Sequence, residues 1–168
     1  MNFGTNMHDL IDRLIEEWKT ERPELDTSAM GVVGRIIMLG NLLQKRAGEA
    51  LKPFGMHYTD LDVLATLRRS GPPYRLTPTE LLNSVLLTSG AMTTLLNRLE
   101  KSGHITREPD PNDGRVKAVK LTEQGIELID RAIEIRFKEA RESISGVSKR
   151  DFSELEKILK KLMQNINQ

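Results

Sequence analysis

The stretch from Thr77 to Leu121 constrains this chain most. It reads TPTELLNSVLLTSGAMTTLLNRLEKSG and continues HITREPDPNDGRVKAVKL. Thr77-Pro78-Thr79-Glu80 is a capping box: Thr77 is the N-cap, and Glu80, three residues on, reaches back to its amide. Pro78 falls at the first helical position, where a missing N–H is harmless. A short helix to about Val85 follows, and Thr88 or Ser89 supplies the next N-cap. In the helix that follows, Met92, Leu95, Leu96 and Leu99 recur at helical spacing and predict one buried stripe. Gly103 suits a left-handed stop.

The opposite face of that second helix carries Gly90, Ala91, Thr93, Thr94 and Asn97, with Arg98 and Lys101 toward its end. A solvated helix usually presents Glu and Lys at most positions; small, hydroxylic and amide side chains instead allow close approach to base edges. Next come two β-branched runs, His104 to Glu108 and Arg115 to Leu121. Pro109-Asp110-Pro111-Asn112-Asp113-Gly114 between them reads as a turn. An Asp in that tip can hold Arg115 toward a minor groove or a phosphate, whereas an idle surface ion pair would serve no such end. Two capped helices across a tight turn, with a charged hairpin directly after, are the layout of a winged helix-turn-helix.

Composition narrows the alternatives. A chain of 168 residues, 38% hydrophobic and 29% charged, suits one ordinary domain with a core. The absence of cysteine excludes disulfides and thiolate metal sites and is compatible with the cytoplasm. No run approaches the roughly 20 apolar residues of a membrane span, and the acidic N-terminal stretch resembles no signal segment. A soluble cytoplasmic protein is expected. The net charge of +1 hides a segregation: residues 1–29 hold three Lys/Arg against seven Asp/Glu, residues 30–76 seven against three, and residues 88–120 six against four. Positive charge therefore gathers before and within the helix pair and wing, as phosphate binding requires.

In chain order, Met7, Leu10, Ile11, Leu14, Ile15 and Trp18 predict an amphipathic helix over 6–20, with Asn6 as its cap. A longer helix over 29–51 turns Val33, Ile36, Ile37, Leu43, Ala47 and Leu51 inward. Gly31, Gly34 and Gly40 within it point to close helix approach or to a flexible, ligand-lined region. Thr59 is expected to cap a helix to about Arg69, with Asp62 at N3. Tyr74-Arg75-Leu76 can add a third strand to the wing. After it, Thr122 caps a long helix with Ile126, Ile129, Ile133, Phe137, Ala140 and Ile144 on one stripe, ended by Gly146. Ser148 caps a last helix carrying Phe152, Leu155, Leu159, Leu162 and Ile166. Helices this long exceed what residues 59–121 can cover, so pairing with a second subunit is expected. The fold class is mainly α with a small β-wing (α+β), in three regions. Residues 1–58 hold N-terminal helices for dimerisation and ligand, 59–121 the winged helix-turn-helix, and 122–168 C-terminal dimerisation helices.

The words of the chain resemble the MarR family of bacterial transcriptional regulators: Asp62-Val-Leu-Ala-Thr-Leu, Leu76-Thr-Pro-Thr-Glu-Leu, Ser89-Gly-Ala-Met-Thr and Asn97-Arg-Leu-Glu. The wing Arg107-Glu-Pro-Asp110-Pro-Asn-Asp113-Gly-Arg115, followed by Leu121-Thr-Glu-Gln-Gly125, is the most specific of these. The resemblance covers roughly residues 30–166 and implies a homodimer on a palindromic double-stranded operator, most often as a ligand-responsive repressor. It places DNA contacts on Thr77, Ser89, Gly90, Ala91, Thr93, Thr94, Asn97, Arg98, Asp113 and Arg115. The N-terminal Trp and the Gly71–Tyr74 stretch resemble the urate-responsive branch, which implies ligand contacts from Trp18, Asp62 and Arg107. Leu95 stands where that branch has a further Arg, leaving an anion one charge-assisted partner short. That argues against urate and leaves another small aromatic or phenolic effector, or none.

An enzyme is not expected. His8, His57 and His104 are scattered, and no nucleophile–base pair or phosphate loop accompanies them. His57, Asp60 and Asp62 are near enough in sequence to share a metal, but a capping Asp and a loop His account for them better. No catalytic residue, metal or cofactor is therefore assigned. The remaining alternative is a winged-helix interaction module that does not bind DNA.

Overall fold

The computed structural model describes residues 8–85, 89–110 and 115–166. The predicted cap Asn6, the cap candidate Thr88 and the wing-tip Asp113 lie outside them. The chain divides into two compact units, Met1–Glu49 and Ala50–Gln168.

In the N-terminal unit, α1 (Leu10–Glu21) begins at Asp9, whose carboxylate accepts from the amides of Ile11 and Asp12 at 2.8 and 3.0 Å. Two devices hold it to α2 (Ser28–Leu51). Arg35 donates to Asp9 Oδ2 at 2.8 Å and to Asp12 Oδ1 at 2.6 Å. The Arg35 hydrogen bond and the amide of Asp9 hold the Asp12 carboxyl down to about 2. Gly34 lets the helices close, since a Cβ there would lie 3.1 Å from Ile11 Cδ1; Gly40 faces nothing within 4 Å. Close approach thus explains one of the helical glycines. Val33, Ile36, Ile37 and Leu43, expected to face inward, are exposed. Two helices have too little surface to cover both faces of α2.

The second unit contains the core. A short 3-10 turn, Lys52–Phe54, leads to α3 (Tyr58–Arg69). Its cap is His57, not the expected Thr59: the His57 amide donates to Asp60 Oδ2 at 2.8 Å, so Asp60 occupies N3. Either Asp satisfies a capping pattern in sequence, and burial of Asp60 under its neighbours decides between them. Strand β1 (Arg75–Leu76) pairs antiparallel with β3 (Lys117–Leu121), which pairs antiparallel with β2 (Ile105–Pro109), giving the order β1-β3-β2. Arg107 faces Val119 across the central register. Between β1 and β2 lie α4 (Pro78–Ser84) and α5 (Ser89–Lys101). Leu81 of α4, Met92, Leu95, Leu96 and Leu99 of α5, and Leu64 and Leu67 of α3 share one buried cluster with Ile105 and Val119.

Helix α6 (Glu123–Ser143) is capped by Thr122, whose hydroxyl accepts from the Gly125 amide at 2.9 Å. It buries Leu128, Ile129 and Ala132, but Phe137 is 61% exposed. The expected stripe therefore meets the core over its first half only, because the winged domain is short. It also ends at Ser143, before Gly146. Helix α7 (Lys149–Ile166) is capped by Ser148 and has no buried residue among those described. No described helix is long and apolar enough to cross a membrane.

The corner between α5 and α6 depends on two glycines. Gly103 (φ 76°) ends α5 with the His104 amide on the Leu99 carbonyl and its own on the Glu100 carbonyl, both at 3.0 Å. At Gly125 an added Cβ would sit 2.0 Å from the His104 carbonyl oxygen. Gly125→Ala must push α6 off this corner and is expected to destabilise by about 1–3 kcal/mol, measured by urea unfolding. An unchanged midpoint would show the corner to be loose.

Candidate nucleic-acid interface

The sequence of α5 alternates large apolar and small polar residues with helical period, and the structure separates them cleanly. Met92, Leu95, Leu96 and Leu99 are buried; Gly90, Ala91, Thr93, Thr94, Asn97, Arg98 and Lys101 are exposed. Gly90, Thr94, Asn97 and Lys101, spaced by four, three and four residues, run along the middle of the exposed face. The Thr94 hydroxyl donates back to the Gly90 carbonyl at 3.3 Å, which stows its hydrogen and leaves oxygen lone pairs outward. Thr77 is the cap of α4: its hydroxyl accepts from the Glu80 amide at 3.3 Å and donates to Glu80 Oε2 at 2.9 Å.

The two flanks of α5 are tied down by ions that sequence reading assigns elsewhere. On one flank, Arg98 donates to Asp60 Oδ1. Asp60 is 3% exposed and also takes the His57 amide, so its charge is both buried and paired. Arg98, expected as a DNA contact, also bridges α5 to α3 and stays half exposed. On the other flank, Arg107 of β2 donates to Asn97 Oδ1 at 2.6 Å and lies 3.6 Å from Glu100. Asn97 and Glu100 are three apart and share a helix face. Glu100 does not stand out as a site residue in sequence, and Asp60 is weighed there only as a metal ligand; the signal for its capping role is its position three residues after His57.

Arg115, expected to open the second wing strand, lies in the turn two residues before β3 and is exposed. The wing is closed beneath it by the Asp110 amide on the Val116 carbonyl at 2.8 Å. Lys120 and Glu108 pair across the wing strands at 3.4 Å.

Of the residues expected at a ligand site, Trp18 belongs to the N-terminal unit and Asp62 and Arg107 to the second. Trp18, in the N-terminal unit, lines a cleft of about 420 Å³ with Ile11, Leu14, Leu25 and Met30, and Asp26 at its edge. Asp62, in the second unit, lines a cleft of about 220 Å³ between α3 and α6, with Tyr58, Arg69, Arg136 and Phe137. Arg107 is absent from that cleft and faces α5. Leu95, where the resemblance suggested a missing Arg, is a core residue. Burial pushes the Asp62 carboxyl above its ordinary range, with the charge of Arg69 opposing. His57 and Asp60, weighed as metal ligands, are engaged in the helix cap, and the described residues contain no metal-holding cluster of three.

A core-anchored helix with a bare small-residue face, beside a three-stranded wing, defines a winged helix-turn-helix protein. Residues 54–116 match the MarR family. The HTH-type transcriptional regulator YkoM of Bacillus subtilis strain 168 is 32% identical over 110 residues, covering 66% of this chain and 70% of that protein. The HTH-type transcriptional regulator PecS of Dickeya dadantii is 28% identical over 156 residues, covering 93% and 94%. A mutant MarR from E. coli, solved in complex with operator DNA, aligns with a TM-score of 0.70 at 26% identity, covering 86% of this chain and 96% of that one. The chain belongs to the MarR family of transcriptional regulators. Its relatives are regulators, not enzymes.

Asp62 gives a signed test. Its folded pKa lies above the unfolded value, so its ionisation opposes folding as pH rises through the folded pKa, and this penalty vanishes below about pH 4. Asp62→Asn is expected to raise Tm by about 1–3 °C at pH 7 and to match the parent at pH 3. A lower Tm at pH 7 would show that attraction to Arg69 outweighs burial.

Proposed function

We propose that the protein is a homodimeric, sequence-specific DNA-binding repressor that places α5 in the major groove of a palindromic operator. The observation that carries this reading is the exposed line Gly90, Thr94, Asn97 and Lys101. It has no acidic group, and its first three residues are too small to hold bases away, with the cation Lys101 closing the line. Arg115, with Asp113 at the wing tip, is the counterpart for the adjacent minor groove, and Ser89, Ala91 and Thr93 flank the first turn of α5. The similar MarR mutant is solved in complex with operator DNA, which supports DNA binding by this fold.

Dimerisation is supported by apolar side chains left uncovered in one chain. Helix α7 exposes Phe152, Leu155, Ile158, Leu159, Met163 and Ile166 along one stripe. Such a stripe is characteristic of an interface. A second copy would also double the basic patches and match the two halves of a palindrome.

The effector reading rests on the Asp62 cleft. A carboxyl in a partly desolvated recess, flanked by Tyr58 and Phe137 and by the guanidinium-bearing Arg69 and Arg136, suits a small aromatic or phenolic molecule. Trp18 offers a separate apolar recess for the same class. Arg107 would have to leave Asn97 and Glu100 to take part.

A gel-shift titration against DNA upstream of its own gene, at two salt concentrations, tests the core of the proposal. Tight, salt-sensitive binding by a dimer is expected, and Arg115→Ala and Thr94→Ala should each weaken it by about tenfold or more. Unchanged affinity in both variants would remove the recognition role of helix and wing. For the effector, a thermal-shift screen of phenolic and purine compounds should give stabilisation that Asp62→Ala abolishes. No stabilisation by any compound would count against a ligand in that cleft.

A further inference from the structure

On the exposed line of α5, one polar group is committed before any nucleic acid arrives. Asn97 Oδ1 lies 2.6 Å from Arg107 Nη2. Arginine has only donors, so the contact settles the direction of the amide: its oxygen faces β2 and its NH₂ faces away. Arg107 is in turn held in place. Its backbone sits in the middle of the β2–β3 ladder opposite Val119, and its Nε lies 3.6 Å from Glu100 Oε2 on the same flank of α5.

An asparagine in a recognition helix ordinarily reads adenine through both ends of its amide, donating to N7 and accepting from the N6 amino group. Asn97 cannot do this without competition. One of the two lone pairs on its oxygen already takes a charged donor, and an adenine amino group brought to the other would set its own partial positive charge beside the guanidinium cation. An acceptor edge meets the opposite situation: the Asn97 NH₂ donates to it and the Arg107 charge attracts it. Guanine, with O6 and N7 adjacent in the major groove, is the base edge that offers two acceptors.

We infer that Arg107 is a specificity-determining residue that acts through Asn97, making the pair a donor unit that selects guanine and rejects adenine at one position of each half-site. This rests on the reading of α5 as the groove-facing helix. Arg107 need not touch the base; it sets what Asn97 can say to one.

The test is a selection from random-sequence duplexes with the full-length chain, in four versions: parent, Asn97→Ala, Arg107→Ala and Arg107→Lys. Each is first checked for an unchanged unfolding midpoint. The parent should enrich guanine over adenine at one position per half-site, and Asn97→Ala should flatten that position alone. Arg107→Ala should shift the same position toward adenine by at least fivefold in the guanine-to-adenine ratio. Arg107→Lys, which keeps a charged donor, should return the ratio toward that of the parent. If Arg107→Ala unfolds, the Arg107→Lys and Asn97→Ala profiles still decide. The inference is overturned if the parent selects adenine at the Asn97-dependent position, if Arg107→Ala selects as the parent does, or if Arg107→Lys shifts the position fully to adenine. It is also overturned if Asn97→Ala lowers affinity without changing any base preference. No enrichment by the parent at any position would instead remove the groove-facing reading on which the inference stands.

Discussion

The geometry of the second unit depends on one buried carboxylate. Asp60 lies almost wholly out of water, and an isolated charge there would cost several kcal/mol. It is tolerated because the His57 amide and the Arg98 guanidinium both donate to it. The same contacts start α3 and fix the far flank of α5 against it. With the apolar stripe of α5 in the core and Arg107 pinning the other flank, the helix can neither roll nor slide. A reading helix needs that rigidity, because a face that rotated by one residue would present Leu95 or Leu96 to solvent.

Burial and exposure along α5 also explain how one short helix serves two masters. Its apolar residues interlock with α3, α4 and the wing strands, while the outward line is small and uncharged until the terminal Lys101. The wing is stiffened by a third strand, β1, so the chain just before the helix pair is secured to the hairpin just after it. The long helices α6 and α7 then carry apolar surface well beyond this small core, which is where the case for a second copy originates.

Much of this is legible in the sequence where a local rule decides the outcome. Thr77, Thr122 and Ser148 cap the helices they are expected to cap, Gly103 stops α5, and the short Arg75–Leu76 strand joins the wing. What escapes is what tertiary context decides. The start of α3 moves from Thr59 to His57 because both positions fit a capping pattern and only packing distinguishes Asp60 from Asp62. The α6 stripe extends further in sequence than in the core, since periodicity reports an apolar face and not how much of it is covered. Arg98 and Arg107 are cations whose sequence neighbours say nothing of Asp60, 38 residues away, or of Asn97 on another element. Family resemblance assigns one to DNA and the other to a ligand; the contacts add for each a bracing role on α5 that no local pattern announces.

On the proposed reading, the outward line of α5 and the wing face DNA, and the N-terminal helices do not. Hydrogen exchange read by mass spectrometry, with and without a bound duplex from upstream of the gene, tests it most directly. Slowed exchange is expected in peptides spanning 89–101 and 105–121, lost again at high salt. Protection confined to peptides from 10–51, with the α5 and wing peptides unchanged, would contradict it.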